Sequence, residues 1–313
     1  MIIAVDNGNC QTKTTHGVFT SGLSEHSVRP PLADEIIEYN GSYWTLTNER
    51  LAYRRDKTKD EYCFILTLFA IANEFKARGV VASDMDITLA VGLPPQHYGA
   101  LRDTFGAYFS KRSPVCFTYN GKPLRVTFNR VLVYPQAYAA IVSQAGRVKS
   151  YSRLFVVDIG GYTTDILLLA NSKPDLSFCY SLELGIITMA NTIRRKVSSL
   201  HDMTVEDEHI QDVLAGHETV LPDEVKATII GEVKAHAAMT LDKLRELKVD
   251  LRSNPSIFVG GGAIMLQPYL ESSNMVSSTS FLSDPKANAI GYEMLASSHL
   301  RTLPAGGARI ENG

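Results

Sequence analysis

The chain has 313 residues, which is enough for two domains of ordinary size, although one large domain would also fit. Lys and Arg number 31 against 33 Asp and Glu, a formal charge of −2 that excludes a protein whose main role is to coat nucleic acid or an anionic membrane. With 45% hydrophobic and 20% charged residues, the composition is that of a globular protein and excludes a disordered one.

The cysteines and the apolar runs indicate the compartment. Cys10, Cys63, Cys116 and Cys179 are far apart in the sequence, so no pair has the spacing of a zinc site, a redox motif or a disulfide framework. The apolar run that opens the chain is too short for a signal peptide, and no run approaches the roughly 20 apolar residues that span a bilayer. We therefore expect a reduced, cytoplasmic protein with no membrane partner.

Strand and helix patterns are mixed along the chain. The predicted strands lie at residues 2–5, 42–47, 86–91, 125–133, 154–157, 165–170 and 256–259. The predicted helices begin near residue 60 and end at Gly79, and then lie at residues 136–145, 186–214, 226–248 and 263–270. This mixture predicts an α/β protein.

Two predicted strands end in the same pattern of residues. The first strand runs into Asp6 and Gly8, and the strand at 154–157 runs into Asp158, Gly160 and Gly161. Each pattern is typical of a tight hairpin whose backbone N–H groups close on an anion, with an Asp placed to hold a hydrated metal ion. Two such hairpins about 150 residues apart suggest two related halves that grip one polyphosphate.

A third glycine pattern follows the last predicted strand. Residues 258–263 read FVGGGA, a strand-to-helix turn that lets a nucleobase or phosphate approach the backbone near a helix N-terminus. The chain has neither the Rossmann fingerprint nor the Walker A pattern. One glycine motif alone is usually only a turn. The three patterns in this order, each after an apolar strand, indicate a nucleotide site.

These motifs resemble those of the actin-like ATPase superfamily of actin, DnaK-type chaperones and sugar kinases. Residues 3–9 (IAVDNGN), with Lys13 after them, match its first phosphate loop, residues 156–165 (VVDIGGYTTD) match the second, and residues 259–263 match the adenosine motif. Two further stretches, VGLP at 91–94 and LGI at 184–186, resemble the bacterial plasmid-partitioning branch, the ParM/StbA type.

The resemblance implies an actin-like fold, which is a duplicated ribonuclease-H-like fold with two related domains around a central nucleotide cleft. The first domain would comprise residues 1–157 together with about 285–313, with a small subdomain at about 17–85. The second would comprise residues 158–284.

The resemblance also implies a role for each motif residue. The β-phosphate side would be contacted by Gly8, Asn9 and Lys13, and the γ-phosphate by Gly160, Gly161, Tyr162 and Thr163. The adenosine and α-phosphate would lie over Gly260, Gly261 and Gly262, with Gly185 nearby at a helix start. Asp6 and Asp158 would act in catalysis by holding Mg²⁺ through waters, because Mg²⁺ dehydrates reluctantly. The implied cofactors are Mg²⁺ and ATP, with GTP left open.

Gln136 lies where the superfamily carries the residue that positions the attacking water. An amide orients a water but is a poor base, so we expect slow hydrolysis that acts as a timer. The alternative is that Gln136 is an ordinary residue in the first turn of a helix introduced by Pro135. Residues 289–292 fit the second connecting helix, where small residues would let two helices cross closely and form a hinge.

A basic cluster precedes the first predicted helix. It comprises Arg50, Arg54, Arg55, Lys57 and Lys59, interspersed with acidic residues. We interpret it as a surface patch that would suit a subunit contact better than a DNA site.

The function that this resemblance implies is ATP-dependent polymerisation into filaments that segregate plasmid DNA or move another cargo. A DNA-binding adaptor protein would then link the filament to DNA, without sequence-specific DNA binding by the chain itself. A small-molecule kinase and a non-polymerising ATPase switch remain alternatives. The amide at Gln136 and the short chain count against a kinase, which needs an acidic base facing its substrate.

Overall fold

A computed structural model describes residues 1–54 and 56–302, which form two β-sheets flanked by helices. Arg55, placed above in the basic cluster, and residues 303–313, placed in the first domain, lie outside the described residues. The first sheet contains β1 (Ile2–Asn7), β2 (Gln11–Thr14), β3 (Val18–Thr20), β4 (Leu23–His26), β5 (Ile36–Tyr39), β6 (Ser42–Leu46), β7 (Asp84–Leu93), β8 (Val115–Tyr119) and β9 (Lys122–Pro135). The second contains β10 (Arg153–Ile159), β11 (Thr164–Ala170), β12 (Lys173–Leu182), β13 (Ser256–Val259) and β14 (Thr279–Phe281).

The helices follow the same chain order. They are α1 (Tyr62–Ala77), α2 (Pro95–Ser110), a 3₁₀ helix (Ala139–Gln144), α3 (Ala145–Val148), α4 (Ile186–His201), α5 (Asp207–Ala215), α6 (Asp223–Glu246), α7 (Gly261–Glu271) and α8 (Ala287–Thr302). Within the described part of the chain, none of them is long and apolar enough to cross a membrane.

The two sheets share one arrangement of strands. In the first, β1 pairs antiparallel with β2 and parallel with β7. In the second, β10 pairs antiparallel with β11 and parallel with β13. The full strand orders are β3-β2-β1-β7-β9-β8-β5-β6-β4 and β12-β11-β10-β13-β14. Each sheet therefore places one hairpin, the one that carries the Asp–Gly motif, next to a parallel strand.

Each sheet has its own hydrophobic core. In the first, α1 is buried on nearly all sides because its apolar residues are not confined to one stripe; Phe64, Leu68 and Phe69 are fully buried. In the second, α4, α6 and α7 pack together over β10 and β13. The α/β class expected from the sequence is confirmed. The proposed domain limits remain a prediction.

The last helix returns to the first sheet and crosses the 3₁₀ helix closely. A Cβ at Gly291 of α8 would lie 1.9 Å from the carbonyl oxygen of Ala139, a separation that only glycine allows. The same helix packs against β1 and β7. The close crossing expected at residues 289–292 is therefore present. It brings α8 against the 3₁₀ helix that follows β9.

One predicted element is wrong, and several were missed, namely helix α2 and the strands β3, β4, β5, β8, β12 and β14. Residues 136–145 were expected to form a helix, but β9 continues to Pro135, and the Gln136 N–H still donates to the carbonyl of Leu93 on β7, at 2.8 Å. Ala137 then takes a positive φ of 61°, which no helix tolerates, and the following turn is 3₁₀. Helix α2 was not predicted, although Pro95 at its first position is a start signal.

Candidate active site

The first hairpin places a carboxylate and an amine side by side. Asp6 of β1 lies directly opposite Lys13 of β2, and residues opposite each other in antiparallel strands project from the same face. Asp6 is almost completely buried. In the intervening turn, the Ser21 hydroxyl donates to the carbonyl of Gly8 at 2.7 Å, which fixes the turn from behind. Asn9 lies in this turn and is half-buried.

The second hairpin places two carboxylates side by side. Asp158 of β10 lies opposite Asp165 of β11, and both are buried. Burial raises the pKa of Asp158, against the effects of Asn288 and Lys13. Burial also raises the pKa of Asp165 to about 7, helped by the charge of Asp158. The turn between the strands is closed by the N–H of Gly160, which donates to the carbonyl of Thr163 at 2.8 Å.

The two hairpins touch, as the sequence motifs implied. A Cβ at Gly161 would lie 2.7 Å from the Cβ of Cys10, so a glycine is required where the second turn meets the first. The motif residues of both turns are therefore gathered in one place. The side chains of two of them have partners within the protein. Tyr162 packs against Tyr53 with ring centroids 4.8 Å apart, and Thr163 donates to Asp165 at 3.1 Å.

Gln136 is brought to the first hairpin although it does not lie in a helix. Its Nε2 donates to Oδ1 of Asp6 at 2.8 Å. The turn that carries it is fixed by α8, because the N–H of Ala137 donates to Oδ1 of Asn288 at 3.0 Å. The reading of Gln136 as an ordinary residue in a first helical turn is therefore wrong, whereas its role with water stays a prediction.

Asn288 was not singled out from the sequence, yet it links the two hairpins. Besides accepting from Ala137, its Nδ2 donates to Oδ2 of Asp158 at 2.9 Å. Through Asn288 and Gln136, Asp158 of the second sheet is connected to Asp6 of the first. The signal for this role is the burial of a polar Asn288 on α8. The sequence alone does not show that burial, because it depends on where α8 crosses the 3₁₀ helix.

The glycine triplet lies behind Asp158. Gly260 has φ 90° and ψ 160°, and a Cβ there would lie 2.5 Å from Oδ1 of Asp158. Gly261 and Gly262 form the first turn of α7, and a Cβ at Gly261 would meet nothing within 4 Å. The expected turn is thus shorter than predicted, since only Gly260 has non-helical geometry, and Gly261 leaves open space beside it.

Gly185 begins α4, as expected, directly beneath the second hairpin. Its N–H donates to the carbonyl of Tyr162 at 2.9 Å, and the next two amides, of Ile186 and Ile187, donate to the carbonyls of Gly160 and Gly161. The first amides of this helix therefore hold the loop in place.

Lys57 corrects the interpretation of the basic cluster. The exposed Lys59 and Arg54 face outward and pair with Asp56 and Asp60. The ammonium of Lys57 instead points inward and donates to the backbone carbonyl of Asn7 at the end of β1. Burial lowers the pKa of this ammonium, and the carboxylates of Asp6 and Asp165 act in the opposite direction. A Lys among charged residues gives no sequence signal of this placement.

The donor set fits a magnesium–phosphate group. Three buried carboxylates, Asp6, Asp158 and Asp165, stand with the amines of Lys13 and Lys57 around the meeting point of the two turns. Oδ1 of Asp165 is buried without a hydrogen-bond partner among the described residues. Carboxylate oxygens suit Mg²⁺, usually through waters, and amines and loop amides suit phosphate oxygens.

Comparisons with known proteins agree with this geometry. The family profile described as "Actin like proteins N terminal domain" matches residues 4–138, and that described as "Archaeal actin homologue MreB-like, C-terminal" matches residues 156–272. Together the two matches span most of the chain, one for each sheet. The chain belongs to the actin-like proteins. No curated protein sequence matches it significantly.

Solved structures of other actin-like proteins share the fold along nearly the whole chain. The archaeal actin homolog Ta0583 in complex with ADP has 18% identity and a TM-score of 0.73, covering 95% of this chain and 99% of its own. Bacillus thuringiensis ParM with ATP has 11% identity and a TM-score of 0.69, covering 96% and 99%. AlfA from the B. subtilis plasmid pLS32, in a filament structure, has 18% identity and a TM-score of 0.63, covering 94% and 98%. The expected actin-like fold is confirmed.

Proposed function

We propose that this actin-like protein binds ATP with Mg²⁺ in the cleft between its sheets and polymerises into filaments, and that slow hydrolysis destabilises them. The observation that carries the proposal is the contact between the two turns at Gly161 and Cys10, with buried carboxylates on both sides. Such an arrangement suits a ligand that carries several negative charges and a divalent cation, as a nucleoside triphosphate does.

Each side chain at the turns has a distinct task in this proposal. Asp6 and Asp158 would hold Mg²⁺ through its waters, and a bound ion would supply positive charge next to the phosphates. Lys13 and the amides of both turns bind phosphate oxygens. Gln136, held by Asp6, orients the attacking water. Because an amide accepts a proton poorly, positioning and electrostatics must supply most of the acceleration, and hydrolysis is slow.

The adenosine part of the nucleotide lies over the start of α7 in this proposal. Gly261 leaves the open space that the ribose and α-phosphate require, and the N-terminus of the helix favours negative charge. The relatives described with ADP and with ATP support an adenine nucleotide.

The proposals that the protein self-associates and moves a cargo are supported by proteins of the same fold. A ParM and a plasmid-borne AlfA with a filament structure are among the proteins of the same fold, which supports filament formation and plasmid segregation as the role of this chain. Under this role the protein works in the cytoplasm, and a DNA-binding adaptor joins the filament to plasmid DNA.

The experiment that tests this proposal is right-angle light scattering of the purified protein with Mg²⁺ and ATP, GTP, ADP or no nucleotide, followed by pelleting. We expect scattering to rise above a critical concentration, only with a triphosphate, and to fall as phosphate is released. The comparison of ATP with GTP shows which nucleobase the protein prefers.

Flat scattering traces would contradict the filament. If ATP is nevertheless hydrolysed, a monomeric ATPase switch or a small-molecule kinase replaces it, and a labelled γ-phosphate would separate the two by appearing as free phosphate or on an acceptor. Absence of both scattering and nucleotide binding would contradict the whole proposal.

A further inference from the structure

The segment of residues 50–60, of which the structure describes all but Arg55, lies between β6 and α1 and contacts both halves of the molecule. It leaves the first sheet, yet Arg50 forms an ion pair of 2.7 Å with Asp207 of α5, in the second half. Tyr53 stacks on Tyr162 of the second hairpin. On its inner side the same segment reaches the end of β1 through Lys57 and Asn7. It therefore bridges the two halves beside the point where the two turns meet.

The ammonium of Lys57 has unused hydrogen-bonding capacity. An ammonium carries three donors, and among the described residues the structure gives it one acceptor, the carbonyl of Asn7. A charged group inside a protein is costly unless it is paired. The carboxylates of Asp6 and Asp165 act on its charge but form no hydrogen bond with it in the described part of the chain.

A complementary deficiency lies in the second hairpin. Oδ1 of Asp165 is buried without a hydrogen-bond partner among the described residues. The 50–60 segment thus presents a cation with spare donors, and the second hairpin presents a carboxylate oxygen that can accept a hydrogen bond. A phosphate that carries its metal ion and its waters satisfies both, because its oxygens accept from the ammonium and its waters donate to the carboxylate.

We propose that Lys57 binds the terminal phosphate of the bound triphosphate, so that the 50–60 segment is held across the cleft by ATP and not by ADP. The proposal rests on the proposed nucleotide site. It adds a second phosphate-binding amine to Lys13 and takes it from a part of the chain outside the three glycine motifs. Since a diphosphate lacks the terminal phosphate, Lys57 distinguishes the two nucleotides.

The test compares the affinities of a non-hydrolysable ATP analogue and of ADP, measured with Mg²⁺ by titration calorimetry. A charge-assisted hydrogen bond to phosphate corresponds to about 10- to 100-fold in affinity. We expect Lys57→Met to weaken the analogue by that factor and ADP by less than about threefold. Lys57→Arg, which keeps the charge, should retain part of the preference for the triphosphate.

The matched control is Lys59→Met. Lys59 lies two positions away, its side chain is 75% exposed, and its partner is Asp56 on the same segment. This variant should bind both nucleotides as the wild type does. Equal weakening of both nucleotides by Lys57→Met would assign Lys57 a structural role, and unchanged affinities would exclude it from the site. If the wild type binds neither nucleotide, the proposed function itself fails, and this proposal with it.

A second measurement uses the wild-type protein and covers the case in which Lys57→Met does not fold. Hydrogen exchange of peptides from residues 50–60 should be slower with the triphosphate analogue than with ADP, because only the triphosphate holds the segment from both sides. Equal exchange with the two nucleotides would overturn the proposal.

Discussion

The two hairpins have the same backbone plan and opposite electrostatics. Both have an Asp at the end of the first strand and a glycine turn after it, but Asp6 faces Lys13, whereas Asp158 faces Asp165. Opposite charges across a strand pair are favourable, and like charges directly opposite are not. The first hairpin is thus balanced by its own residues. The second carries two buried acidic groups whose pKa values are both raised, so it is the half whose stability should depend on pH.

The supports of the hairpins differ in the same way. Behind the first, buried Glu74 of α1 accepts from the N–H of His16 at 2.8 Å and pairs with Arg78, so that the far end of the hairpin is fixed by charges. Burial alone would raise the pKa of Glu74, but these partners hold it below its ordinary value. Behind the second, neutral groups provide the support, namely Asn288 and the first amides of α4.

The largest expected effect concerns Gln136, whose amide donates to Asp6 of the first hairpin. Gln136→Ala should leave ATP binding intact and slow phosphate release by about 10²-fold, because removing one preorganised group at a reacting centre costs on this order. The measurement is single-turnover phosphate release beside equilibrium ATP affinity. Unchanged turnover would remove Gln136 from the mechanism, and weakened binding would make it a ligand of the nucleotide.

The next effect distinguishes two neighbouring glycines behind the second hairpin. Gly260→Ala should lower the free energy of unfolding by about 1–3 kcal/mol, because its φ is restricted to glycine and the new methyl would displace Asp158. Gly261→Ala, in open space, should fold as well as the wild type and lose nucleotide affinity. Chemical denaturation measures the stability of both variants, and nucleotide titration measures their affinity. Equal stability of the two variants would contradict the geometry at Gly260.

The pH dependence of stability should reveal the burial of Asp165 in the second hairpin. The folded protein holds the proton of Asp165 up to about pH 7, whereas the unfolded chain releases it near the ordinary value of 3.8. The free energy of unfolding of the nucleotide-free protein should therefore fall as the pH rises between these values and level off above pH 7. Asp165→Asn should flatten this slope. Denaturation midpoints at pH 5, 6, 7 and 8 measure it, and parallel curves would exclude Asp165 as the cause.

The smallest effect concerns the ion pair between Arg50 and Asp207, which links the neighbourhoods of the two hairpins. Each side chain is 25% exposed, so the pair should contribute no more than about 1 kcal/mol of coupling. A double-mutant cycle with Arg50→Gln and Asp207→Asn, read by denaturation, isolates it. Arg194 also pairs with Asp207 and should keep that carboxylate satisfied in Arg50→Gln. Zero coupling would show that the ion pair does not hold the halves together.

About half of the strands and most of the helices could be predicted because their signals are local. Apolar runs ending in Asp and Gly marked both hairpins, and the spacing of apolar residues marked α1 and α6. The helix expected at 136–145 failed because its first residues are bound by partners distant in sequence. Gln136 is paired to β7, and Ala137 is fixed by Asn288. Those contacts favour an extended strand end and a positive φ over the local preference for helix.

The sequence by itself determined that this is an α/β protein with two related glycine hairpins and a glycine turn, because turns, strand ends and buried strands depend on residue types close together in the chain. Only the tertiary structure decided that Lys57 points inward, that Asn288 joins Asp158 to the turn of Gln136, and that Oδ1 of Asp165 has no hydrogen-bond partner among the described residues. These features depend on burial and on atoms brought together from positions 50 to 130 residues apart, and no local pattern records them.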